Sequence, residues 1–132
     1  MKKQYKQMID TRRVYKLETD MYFDKRFKFI TKQRSLDYLR RYARKIWAAE
    51  KYKREMPYIR FGKGLQNYSW CDGDVIELAP HQRDILTLVH EIVHAIGYDD
   101  HDSNFARKEL VLLVKHTPVK ADALHELFEV MI

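Results

Sequence analysis

Thr87-Leu88-Val89-His90-Glu91-Ile92-Val93-His94-Ala95-Ile96 is the stretch that decides how this chain folds and what it can do. The apolar run from Ile85 to Ile96 is unbroken by Gly or Pro and matches helical spacing, which predicts a helix in spite of its β-branched content. On a helix, positions four apart share a face, so His90 and His94 can turn two imidazoles toward one ion. Glu91 lies beside them, where its carboxylate can serve a metal-activated water without being a ligand. Leu88, Ile92, Val93, Ala95 and Ile96 are uncharged, as befits a helix buried except along its histidine edge. Zinc suits such a ligand set, because it accepts imidazole and carboxylate in tetrahedral geometry and keeps a position for water when the protein supplies three ligands.

Downstream, Gly97 is placed to stop this helix, and residues 98–102 form an acid-rich loop. Two third ligands compete there. His101 follows His94 by seven positions, after the turn at Gly97, whereas Asp100 completes the spacing H-E-x-x-H-x-x-G-x-x-D, where metzincins carry their third histidine. Imidazole is the commoner zinc ligand. Ser103 is the expected cap of a helix over 104–115, and a last helix is expected over 119–130, packing Ala121, Leu124, Leu127 and Phe128.

Upstream, Pro80 closes a region of three strand-like runs: 58–61, 67–71 and 74–79. The last two read as a hairpin about Asp72-Gly73. Before them, Ser35 caps an expected helix running to about Arg54, ahead of Pro57, with Leu36, Leu39, Ala43, Ile46 and Trp47 on its core face. Its other faces carry Arg40, Arg41, Arg44, Lys45, Lys51 and Lys53 near Tyr38, Tyr42 and Tyr52, either as a solvated face or as a nucleic-acid surface. The aromatic and β-branched stretch 14–30 favours a strand pair turning near Asp24-Lys25, with a helical start as the alternative. The sum is α+β: a small mixed or antiparallel sheet packed on helices, with a metal-binding helix in the middle.

The chain has 132 residues, 45% of them apolar and 33% charged, enough for one core and expected to form a single domain over 1–132. No run is long and apolar enough to span a membrane, and the basic start MKKQYKQMIDTRR lacks a signal-peptide core, which predicts a cytoplasmic protein. The one cysteine, Cys71, excludes an internal disulfide and a thiolate zinc cluster. It reads as a small packed hydrophobe beside Trp70, or alternatively as a reactive thiol. His81, His116 and His125 have no partner at ligand spacing. The net charge of +6 favours contact with polyanions such as nucleic acid through phosphates.

His90-Glu91-Ile92-Val93-His94, followed by His101-Asp102-Ser103-Asn104-Phe105, resembles the SprT-like and WLM metalloproteases. There H-E-x-x-H is followed by a third ligand in an H-G-x-x-F pattern. The resemblance is specific over 74–108 and looser upstream. It implies a minimal zincin fold, zinc held by His90, His94 and His101, Glu91 as general base, and Phe105 packed behind His101 at the start of a helix. It also implies that the strand Asp74-Val75-Ile76-Glu77-Leu78 is an edge along which an extended peptide substrate lies. Tyr98 is a candidate oxyanion donor, set against simple packing. Two features depart from the family: Asp102 stands where it has glycine, and the linker from His94 to His101 is short. The 132 residues hold no zinc ribbon, so DNA-activated cleavage is not carried over from the resemblance, and the small size is similar to that of phage-encoded proteins. The expected function is a zinc metallopeptidase that acts on protein or peptide and extends to nucleic-acid-associated proteins. The alternative is a basic nucleic-acid-binding or protein-binding module on a zincin frame, closed by a structural zinc. Oligomeric state is left open.

Overall fold

A computed structural model describes residues 2–64, 66–129 and 131. The fold is mixed α+β, with six α-helices and a three-stranded mixed sheet among the described residues. Two compact units divide the chain: Met1–Ile30 together with Tyr98–Ile132, and Thr31–Gly97. No helix among the described residues is long and apolar enough to cross a membrane.

The central unit begins with α3 (Leu36–Glu50), whose cap is Ser35 as expected, accepting the Tyr38 amide at 3.1 Å. Leu39, Ala43, Ile46 and Trp47 form its buried stripe, while Leu36 is half-buried. The helix ends at Glu50 rather than near Arg54, because Lys51 turns into the left-handed region at φ 54° and its amide returns to Ala48. With no glycine at that point, the sequence carries no stop signal before Pro57.

The sheet has the order β1-β3-β2, from β1 (Tyr58–Phe61), β2 (Trp70–Cys71) and β3 (Val75–Leu78). β1 runs parallel to β3, with Ile59 opposite Ile76. β2 runs antiparallel, with Cys71 opposite Ile76. The expected hairpin is present, its turn carried by Gly73 at φ 97° and by the Asp72 carboxylate, which accepts the amides of Asp74 and Val75. The second expected strand run, 67–71, is strand only at Trp70–Cys71. Side chains alternate across the sheet. Ile59, Ile76 and Leu78 are buried on one face, and Arg60, Glu77 and Trp70 form a polar rung on the other, with Arg60 Nε and Trp70 Nε1 donating to Glu77 at 2.9 and 2.8 Å. Helix α4 (Ile85–Ala95) packs on β2, β3 and α3.

The other unit contains α1 (Lys2–Tyr22), a 3-10 turn (Lys25–Phe27), α2 (Lys28–Thr31, whose last residue lies in the central unit), α5 (Ser103–His116) and α6 (Ala121–Phe128). The expected strand pair over 14–30 is therefore helical. Val14, Leu17 and Met21 are buried at steps of three and four, while the aromatics that suggested strands, Tyr15, Tyr22 and Phe23, are exposed. The turn expected near Asp24 exists, but it joins helices: Asp24 caps the 3-10 turn by accepting the Arg26 amide. The cap of α5 is Asp102 rather than Ser103, accepting the Phe105 amide at 3.0 Å. In α6 it is Ala123 rather than Ala121 that is buried, with Leu124 and Phe128. Val130, the expected end of that helix, lies outside the described residues.

Candidate metal centre

Asp84 starts the motif helix. Fully buried, it accepts the Thr87 amide at 2.8 Å and satisfies one of the donors that a helix start leaves open. From there α4 is apolar nearly all round, and its buried set includes Leu88, Val89, Ile92 and Val93. His90 and Glu91 are buried and His94 is half-buried. Gly97, at φ 114°, ends the helix as expected, with its amide bonded to the His94 carbonyl.

The rings of His90 and His94 have centroids 5.0 Å apart and planes inclined at 69°. Zinc binds imidazole nitrogen at about 2.0–2.1 Å, and the ring centre lies about 1 Å farther back, so two imidazoles on a tetrahedral ion stand roughly 5 Å apart. The pair therefore fits the group that its spacing implies. Burial pushes the Glu91 carboxyl above the ordinary carboxylate range, and the neighbouring His90 offsets part of that rise. A carboxylate raised in this way is a better proton acceptor near neutral pH than an exposed one.

β2 borders this helix. Burial, the largest influence, pushes the half-buried Cys71 thiol above its ordinary range, and the Gly73 amide offsets part of that rise. The strand expected to be the substrate edge, Asp74 to Leu78, is instead the central strand, flanked by β1 and β2. Chain order hid this, because β1, although farther away in sequence, pairs parallel with β3 across the intervening hairpin. The edge strands are β1 and β2, and Arg40 Nε already occupies the Ile59 carbonyl of β1 at 2.8 Å.

In the other unit, His101 is half-buried between two rings, with centroids 5.2 Å from Tyr15 and 5.0 Å from Phe105, so Phe105 packs against His101 as expected. Asp102, which departs from the family's glycine, is the α5 cap. Tyr98 is half-buried and Asp100 exposed. His81 and His125 are exposed and His116 is half-buried. Sequence reasoning passed over two acids here. Glu109 on α5 is fully buried, and a carboxylate oxygen of Glu18 on α1 lies within 4.8 Å of one of Glu109. A charged residue on a buried helical stripe is the signal that could have singled out Glu109.

No protein-family model, curated protein or solved structure matches the chain.

Proposed function

We propose that this chain is a zinc-dependent metallopeptidase of the zincin type, resembling the SprT-like enzymes. The observation that carries the proposal is the His90–His94 ring spacing of 5.0 Å on one helix, with the buried carboxyl of Glu91 between them in sequence. In this proposal His90, His94 and His101 hold the ion, with Asp100 as the competing third ligand, the third ligand being argued from sequence spacing and the family resemblance. Zinc, when bound, supplies Lewis acidity toward water and toward a peptide carbonyl. Glu91 takes the proton of the attacking water and hands it to the leaving amine, a role worth about 10²–10⁴ in rate. The peptide runs along the β2 edge, beside Cys71, where strand addition gives affinity with little sequence selectivity. Tyr98 is proposed as a hydrogen-bond donor to the developing oxyanion.

A second class of partner is proposed on one observation: Tyr38 and Tyr42 stack at 5.8 Å with Arg34 over the Tyr38 ring, and exposed Lys45 follows Tyr42 by three positions on α3. Such alternation of rings and cations suits single-stranded nucleic acid, so that protein substrates bound to nucleic acid would be brought to the site.

The test is metal content after purification without added metal, paired with casein cleavage, for wild type, Glu91→Gln and His101→Ala. Wild type is expected to hold one zinc and cleave, His101→Ala to lose metal, and Glu91→Gln to keep metal while losing at least about a hundredfold in rate. A wild-type protein that cannot be loaded with zinc would overturn the proposal and favour a basic binding module.

A further inference from the structure

Arg54 touches three parts of the central unit at once. Its Nη1 donates to the Ala95 carbonyl at 2.6 Å, and its own carbonyl accepts Trp47 Nε1 at 2.8 Å. Its Nη2 lies over Gly73, 3.4 Å from where a Cβ there would stand. Ala95 is the last residue of α4 and directly follows His94. The final carbonyls of a helix have no donor of their own. At this end the amides of Ile96 and Gly97 turn back to Ile92 and His94, and the guanidinium takes Ala95. A cation there also faces the negative end of the helix dipole. Trp47, buried on α3, braces the Arg54 backbone, and the guanidinium reaches across to the β2–β3 turn at Gly73.

We infer that Arg54 is a positioning residue for the motif helix: it pins the last turn of α4 and thereby the imidazole of His94. The inference rests on the proposed metal-binding role of His94. Nothing in the motif announces it, since the two bonded residues are 41 positions apart. A partner bonded directly to a metal ligand is worth about 10–100-fold in metal affinity, and Arg54, which bonds the backbone one residue after His94, is expected to act at the lower end, about tenfold.

Affinities for Zn²⁺ and Co²⁺ would be measured by chelator competition on the full chain, together with the visible spectrum of bound Co²⁺. The proteins are wild type, Arg54→Met, Arg54→Lys and, as a control for loosening the unit in general, Ile59→Val. Arg54→Met is expected to bind about tenfold more weakly with an altered Co²⁺ spectrum, Arg54→Lys to recover part of the loss, and Ile59→Val to match wild type. Wild-type affinity and spectrum in Arg54→Met would overturn the inference, as would an equal loss in Ile59→Val. If Arg54→Met does not fold, Arg54→Lys carries the test alone, and wild-type affinity in it overturns the inference. A wild-type protein that binds neither metal removes the metal proposal itself, and the role of Arg54 with it.

Discussion

Glu77 is the residue at which all three strands meet on the polar face of the sheet. Arg60 from β1 and Trp70 from β2 both donate to its carboxylate, and Arg60 also lies over the Trp70 ring at 5.5 Å. The bond from Arg60 is the largest influence holding the Glu77 carboxyl below the ordinary carboxylate range, with Trp70 adding to it against some desolvation. A folded-state pKa below the unfolded one means that the unfolded chain binds more protons in acid. The stability from this group is therefore present above the unfolded carboxylate pKa, about 4.3, and is lost as pH falls through the lower folded value. Urea unfolding at pH 7 and at pH 3 should show a larger acid loss for wild type than for Glu77→Gln. Identical pH dependence in the two proteins would mean that the rung contributes nothing through ionisation. The expected role of Glu77 as part of a substrate edge gives way, on these contacts, to that of a rung holding the strands in register.

Among the elements, α4 was legible because its information is local: the apolar run, the i,i+4 histidines and the stop at Gly97 need no distant partner. The helix α1 was not, because exposed aromatics at Tyr15, Tyr22 and Phe23 masked the step of three and four among Val14, Leu17 and Met21. Likewise the central place of β3 depends on a parallel pairing with β1, and such long-range pairing leaves no mark in the strand's own residues. The same reasoning separates the site's histidine pair from Arg54, an exposed residue that matters through a distant backbone partner, and from Glu109, which is singled out by burial. For α4 itself the sensitive point is its start. Asp84 is fully buried with its side chain on the Thr87 amide, so Asp84→Ala should cost about 1–2 kcal/mol in urea unfolding, whereas Asp84→Asn, which can still cap, should cost less. Equal losses for the two variants would show that the cap is not what Asp84 contributes.

For the molecule as a whole, metal binding and folding are linked if the histidines are ligands only when α4 is formed. In an unfolded chain His90 and His94 are not held on one face, so zinc would favour the folded state. At a free zinc concentration one hundred times the Kd, this linkage contributes about 2.7 kcal/mol. For a chain of this length that is a rise in Tm of roughly 10 °C, reversed by a chelator. Glu91→Gln should keep the whole rise, since Glu91 is proposed as a base and not as a ligand, while His94→Ala should abolish it. The third ligand is separated by the same scan: His101→Ala is expected to lose most of the rise and Asp100→Ala to keep it. The reverse pattern would transfer the role to the exposed Asp100, and would leave the half-buried His101, with Tyr15 and Phe105 against it, as a packing residue of the other unit. No rise in wild type would remove zinc from the account of both helix and function.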